Sequence, residues 1–161
     1  MATSDHLLFA LKLFSALGCG LIAGVFFAFS AFVMDALARL RPAQGIAAMQ
    51  SINITVINPL FITAFFGTAA ACMLLAVFSL SGWHQPGAAY VLTGSLLYLV
   101  GTFLVTIVFN VPLNEALAAV EPGSTGGESL WTRYLANWTL WNHIRTAAAL
   151  AAAASLTIAL C

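Results

Sequence analysis

The chain has 161 residues, 62% of them hydrophobic and only 6% charged, where an ordinary soluble domain carries roughly 25% charged residues. Five basic and five acidic side chains are too few to solvate a fold of this size in water, so the missing solvent must be lipid. Because those charges cancel, there is no electrostatic footprint for nucleic acid.

A membrane-spanning helix takes about 20 apolar residues at about 1.5 Å each. Four stretches are long enough: 7–37, 45–80, 88–118 and 130–160. The fold class they predict is all-α, an integral membrane four-helix transmembrane bundle forming one domain over 1–161. Each stretch is nearer 30 residues than 20, so the helices are expected to tilt or to protrude from the hydrocarbon.

The first stretch begins after Met1-Ala2-Thr3-Ser4-Asp5-His6, which lacks a basic leader region, and stays apolar from Leu7 through Val33. A signal h-region is about 7–15 residues, so this reads as a retained helix. Gly20-x-x-x-Gly24-x-x-x-Ala28 makes a smooth stripe along it. The Phe26-Phe27-Ala28-Phe29-Ser30-Ala31-Phe32 run borders the polar end, and Arg39-Leu40-Arg41-Pro42 ends the helix. Asp35 and Arg39 are spaced i,i+4 as a helix-end ion pair, and Lys12 and Asp5 are expected to snorkel to the opposite interface.

The second stretch carries Gln50, Asn53 and Asn58, with Pro59 after them. Proline removes a backbone donor and frees the carbonyl one turn earlier, here at Thr55. Ser81-Gly82-Trp83-His84-Gln85-Pro86-Gly87 is a tight turn. The third stretch has Gly94 and Gly101 on a small face, then Asn110, Pro112 and Asn114, with Val108 as the carbonyl freed by Pro112. After a flexible loop at 121–128, the fourth stretch carries Trp138, Trp141, Asn142, His143 and Arg145, followed by the small residues of 147–154. Trp83, Trp131 and Tyr134 suit an interfacial aromatic belt. Small faces let backbones approach closely in lipid. Packing inside one bundle is the preferred use of them, and a homo-oligomer seam the other.

Four spans place both termini on one side. Arg39, Arg41 and Arg133 flank the first and third loops, against Lys12 near the other face. The positive-inside rule then puts those loops in the cytoplasm and both termini outside, in a multi-pass protein of the bacterial inner (plasma) membrane. Cys19, Cys72 and Cys161 form no CxxC pair and read as small buried hydrophobes.

Ser30, Asp35 and the Asn, Gln, His and Arg side chains inside the spans fall in the half next to the first and third loops, while the other half is nearly featureless, mostly Leu, Phe, Val, Ala and Gly. Asn110 and Asn114 are i,i+4; Gln50 and Asn53, like Asn142 and Arg145, are i,i+3, so each pair shares a helix face. Arg145 lies about 15 residues into its helix, roughly 22 Å at about 1.5 Å per residue. Ionisable groups at such depth usually face a bundle interior or a water-filled cavity. The simpler explanation for the asparagines is interhelical hydrogen bonding; with His143 and Arg145 among them, a pocket is the stronger reading.

Phe109-Asn110-Val111-Pro112-Leu113-Asn114 together with Trp138-Thr139-Leu140-Trp141-Asn142-His143-Ile144-Arg145-Thr146 resembles the anthrone oxygenase-like family of small four-helix membrane proteins. Gly45-Ile46-Ala47-Ala48-Met49-Gln50-Ser51-Ile52-Asn53 is similar to that family's second-helix start, so the likeness extends over essentially the whole chain. Some fungal members are associated with oxidising an anthrone to an anthraquinone, whereas most bacterial members have no assigned reaction. The resemblance implies an oxidoreductase whose partner is a hydrophobic aromatic small molecule.

An anthrone has an acidic C–H whose loss leaves a delocalised anion able to react with oxygen unaided. In that chemistry His143 serves as base, Arg145 with Asn110 and Asn142 holds the oxyanion, and Asn114, Gln50, Asn53, Trp138 and Trp141 complete the substrate site. One His and at most one carboxylate are too few ligands for common metal sites, so no metal and no cofactor is expected. The alternatives are a non-enzymatic protein binding a lipid, quinone or other hydrophobic ligand, and a structural or accessory subunit. The topology is open to test: cysteines placed in the 81–87 turn and the 123–127 loop should be labelled from opposite sides of the membrane, and labelling of both from one side would refute it.

Overall fold

The four apolar runs fold as four antiparallel rods in a computed structural model that describes residues 2–161; Met1, the start of the leader-like stretch, lies outside them. All regular structure among the described residues is helical. The first rod is α1 (Ala2–Ala28), which opens into a π-turn at Phe29–Val33 and closes as α2 (Met34–Ala38). The second consists of α3 (Pro42–Thr55) and α4 (Pro59–Ser81). The third runs from α5 (Ala88–Leu96) through π-helical stretches Leu97–Leu104 and Thr106–Asn110 into α6 (Val111–Ala118). The fourth is the unbroken α7 (Thr125–Ile158).

The ends of the rods confirm an up-and-down order. Lys12 Nζ donates to the Ala159 carbonyl at 2.7 Å, so it caps the C-terminal end of α7. At the other end Gln50 Nε2 donates to the Leu117 and Val120 carbonyls at 2.8 and 2.9 Å, joining the first and third connections.

The expected single helix over 45–80 is two helices. Pro59 cannot donate and its ring opposes the carbonyl of Thr55, so the chain leaves the helix at Asn58, which is extended (φ −121°, ψ 159°). Asn58 mends both edges of the break. Its Nδ2 donates to the freed Thr55 carbonyl at 3.0 Å, and its Oδ1 accepts from the Phe61 amide at 3.0 Å as an N-cap. In the third rod Pro112 occupies the first turn of α6, where a missing N–H is cheap, and the backbone just before it widens into π-turns. Both proline sites therefore loosen their helices. The π-turn at Phe29–Val33 has no proline in it, and the sequence reading did not anticipate it.

α7 is the rod against which the others pack, touching α1, α3, α5 and α6. Its buried side chains recur at Trp131, Tyr134, Trp138, Asn142, Arg145, Ala149, Ala152 and Leu156, a stripe with steps of three and four residues. Trp131 and Tyr134 are in this stripe, not in an interfacial belt; Trp83 is exposed. One apolar cluster gathers around Cys19, Ile22, Cys72, Leu75 and Leu156, the other around Met34, Ile46, Met49 and Leu117. Cys19 and Cys72 are buried as expected, but Cys161 is exposed.

The small residues divide by role. A methyl added at Gly94 would meet Leu156 Cγ at 2.8 Å, and one at Gly101 would meet Ala148 Cβ at 2.5 Å, so both sit where α7 passes closest to the third rod. Gly20 and Gly24 have no such neighbours. Gly24 is exposed and Gly20 half-buried, and the close approach on α1 is made by Gly18 against Thr68.

Asp5–Ala38, Pro59–Ser81 and Ala88–Ala118 are long and apolar enough to cross a membrane. Large side chains such as Leu21, Phe27, Phe32, Leu74, Val77, Phe78 and Val100 point outward. This surface, apolar where water would demand polarity, fits an integral membrane protein. α7 is less apolar than these three: Asn142, Arg145, Thr146 and Ser155 are turned into the bundle, whereas Glu128, Arg133, Asn137 and His143 are exposed. A packing test follows: Gly101→Val should destabilise the protein by about 1–3 kcal/mol through overpacking, while Gly24→Ala should stay within about 0.5 kcal/mol of the wild type, as read by thermal unfolding in detergent.

Candidate functional site

The site is built on Arg145, which is 4% exposed and projects from the buried stripe of α7. Its Nε donates to Asn142 Oδ1 at 3.0 Å, one helical turn earlier, and its Nη1 donates to Thr106 Oγ1 at 3.3 Å on the third rod. The guanidinium carbon lies 3.9 Å from the centre of the Phe26 ring and 4.8 Å from that of Trp138. Among the described residues, then, its partners are neutral: an amide, a hydroxyl and two aromatic faces. Neither Asp35 nor Glu115 bonds to it; both are exposed. A guanidinium has five N–H donors and keeps its proton. Nη2 has no protein acceptor, yet it is not among the sealed, unpartnered atoms, so it borders open space.

Each neighbour is held in turn. Asn142 is fully buried; its Nδ2 donates to the Phe26 carbonyl at 2.8 Å and to Ser30 Oγ at 2.7 Å, the two groups lying at the edge of the π-turn in the first rod. Thr146 Oγ1 donates to the Asn142 carbonyl at 2.7 Å and lies 3.3 Å from Ser30 Oγ, closing a ring between the two rods. On the third rod, Thr106 Oγ1 donates to the Thr102 carbonyl at 2.7 Å, and Thr102 Oγ1 donates to the Arg145 carbonyl at 3.2 Å. Sequence reasoning missed Thr102 and Thr106. The signal was their spacing, since Thr102, Thr106, Asn110 and Asn114 step by four along one rod. In a regular α-helix that step drifts around the axis; a π-turn takes in an extra residue and reduces the drift.

A cavity of ≈ 240 Å³ opens beside Arg145. Its walls come from all four rods, chiefly Phe26 and Phe29, Asn53 and Phe65, Thr106 and Asn114, and Trp138 with Arg145. The Phe26-to-Phe32 run thus divides: Phe26 and Phe29 face the cavity, and Phe27 and Phe32 face outward. Asn114 Oδ1 accepts from Tyr134 Oη and Trp138 Nε1, both at 2.8 Å, so the group left to the cavity is its amide N–H₂. A wider groove of ≈ 660 Å³ lies between α3 and α6 and shares Asn53, Ile57, Val111 and Asn114 with the cavity. The break at Asn58 leaves its rim exposed, with Ile57 71% and Leu60 82% accessible.

The structure brings together Arg145, Asn114, Asn53 and Trp138 around this space, with Gln50 lining the groove; Asn142 is fully buried behind Arg145 and holds it without lining the cavity. Three expected members lie elsewhere. His143 follows Asn142 by one residue, about 100° around the helix, so it is exposed in a separate outer groove with Phe27, Ser30 and Leu150. Trp141 stacks on Phe109 with centroids 3.6 Å apart, away from the cavity. Asn110 is fully buried, donates to the Trp138 carbonyl at 3.2 Å and leaves its own Oδ1 unpartnered, but it does not line the cavity. Asn58 is the hinge cap described above. The half of the bundle read as featureless holds Tyr98, whose hydroxyl donates to the Phe65 carbonyl at 3.1 Å. Among the described residues no three His, Cys, Asp or Glu side chains gather as metal ligands would.

Replacing Asn142 with Leu removes its bonds to Phe26, Ser30 and Arg145. The expected cost is about 1–3 kcal/mol in detergent-based thermal unfolding. Asn110→Leu, which also discards an unpartnered carbonyl, should cost less.

No curated protein and no solved structure matches the chain significantly. A family model does, over residues 60–155, more than half of the chain. That segment begins just beyond the break at Asn58 and runs through α4 and the third rod into α7, so it contains Asn110, Asn114, Trp138, Asn142 and Arg145. The 45–53 stretch on α3 lies outside it. By this match the chain belongs to the anthrone oxygenase family.

Proposed function

We propose that the protein oxygenates an anthrone-like tricyclic aromatic within the membrane, without a metal or organic cofactor. The observation that carries this reading is Arg145, a buried permanent cation with neutral partners beside an aromatic-walled cavity. An ion in low dielectric is costly to leave uncompensated, so the cavity favours a ligand that brings, or develops, negative charge. The ketone oxygen of an anthrone does so when the ring system loses its methylene proton. The free edge of the Arg145 fork and the Asn114 amide are the donors available to that oxygen, and Phe26, Phe29, Phe65 and Trp138 supply faces for the rings. Overall, anthrone plus O₂ gives anthraquinone plus water.

In this reading all four rods cross the bilayer of a bacterial inner membrane. Arg39, Arg41 and Arg133, near the end tied by Gln50, support a cytoplasmic position for that end, with both termini outside. The assay is anthrone consumption and O₂ uptake by purified protein in lipid nanodiscs, above the spontaneous rate. Arg145→Gln should lower the protein-dependent rate by roughly 10²-fold or more. Arg145→Lys keeps the charge but loses the planar fork and should fall in between. Wild-type rates in both variants would refute the proposal, and a hydrophobic ligand that copurifies without turnover would favour a lipid- or quinone-binding protein.

A further inference from the structure

We infer that Glu115 is the general base of the proposed reaction, taking the methylene proton while Arg145 holds the oxygen at the other end of the ring system; the assignment rests on the anthrone-oxygenase reading above. The cavity and the α3–α6 groove share Asn53, Ile57, Val111 and Asn114 as wall residues, so they adjoin across those four side chains. Among the described residues lining the two, only Arg145 in the cavity and Glu115 in the groove are ionisable. Val111, Asn114, Glu115 and Ala118 line the groove from α6 at i, i+3, i+4 and i+7, so the carboxylate belongs to the helix face that forms the wall. The opposite wall has Gln50, Asn53 and Ile54 of α3, with Ile57 from the break beyond its end. Gln50, bonded to the Leu117 and Val120 carbonyls, holds the two walls together one turn from Glu115. His143 lines a different groove on the outer side of α7 and has no path to this space.

The charge order matches the substrate. In an anthrone the ketone carbon and the methylene carbon are opposite vertices of the central ring. With the oxygen at Arg145, the methylene is directed away from the cation, toward the groove that carries the carboxylate. There the C–H bond breaks and its proton goes to a Glu115 oxygen. The electron pair enters the ring system and comes to rest on the ketone oxygen. O₂, the oxidant of the proposed reaction, then accepts that pair as a new C–O bond forms. The proton returns from Glu115 to the peroxide, and loss of water across the remaining C–H and the O–O bond leaves the second ketone. Glu115 ends as it began.

Proton removal can be read without oxygen, as exchange of the methylene hydrogens into D₂O under anaerobic conditions, followed by NMR. Wild-type protein should catalyse this exchange. Glu115→Gln should lower both exchange and aerobic turnover by roughly 10²–10⁴-fold, with the affinity for the anthraquinone product, read by tryptophan quenching, unchanged. In Glu115→Ala, added formate or imidazole should restore part of the rate, with a pH dependence that follows the added base. Turnover by the wild type together with undiminished exchange in Glu115→Gln would overturn the assignment and leave the oxygenase reading intact. So would a loss matched by an equal loss of product binding and not restored by small bases. A wild type inert toward anthrones in both assays would overturn the oxygenase reading and this assignment with it.

Discussion

The interior of this bundle is organised around a cation that cannot be neutralised. A guanidinium keeps its proton at any depth, so the chain must supply acceptors for Arg145 or leave a charge stranded in hydrocarbon. It supplies Asn142, Thr106 and two aromatic faces. Cation–π contacts contribute about 0.5–2 kcal/mol each, and hydrogen bonds within membranes average about 0.6 kcal/mol, against a desolvation penalty of several kcal/mol for the ion. These terms hold the side chain in place without cancelling its charge. The same bonds set the register of the bundle: Asn142 locks α7 to the π-turn of the first rod, and Thr102 and Thr106 lock it to the third.

The departures from regular helix cluster around this cation. The π-turn at Phe29–Val33, the wide turn at Thr106–Asn110 and the break before Pro59 border the same cavity, and the wide turn at Leu97–Leu104 reaches the Arg145 backbone through Thr102. Unpaired backbone is tolerated at membrane depth only where protein or a cavity can satisfy it. At the break, the Asn58 side chain does so on both edges. The irregularities also make the space, because a straight second rod would carry α3 past α6 with no opening at Ile57. The arrangement sets a permanent cation inside an aromatic chamber, with a carboxylate-lined groove leading outward. The matched family segment contains the cation and its asparagines. The unmatched first rod and α3 supply Phe26, Phe29 and Asn53, walls that would select among ligands.

Much of this was legible before any coordinates. Low charge and four long apolar runs require helices in lipid, since backbone polar groups must be satisfied within each segment. Asn114, Asn142 and Arg145 stand out because polar groups in apolar runs are costly, and cost makes them visible. Pro59 and Pro112 announce their distortions because a missing N–H acts locally. What escaped was set by rotation and approach. His143 and Asn142 are neighbours in sequence, yet one faces outward and the other inward, because α7 turns about 100° per residue and only its packing decides which face is buried. Gly20 and Gly24 have the spacing of a helix–helix contact, but the contact is made at Gly18. Thr102 and Thr106 are common in apolar helices and become informative only once Arg145 lies beside them. Composition and periodicity thus determined the class of fold and the depth of the polar layer, both of which follow from local and additive transfer costs. Which of the polar residues share a cavity depends on the rotation of four rods about their axes, and that is decided by side-chain packing between segments distant in sequence.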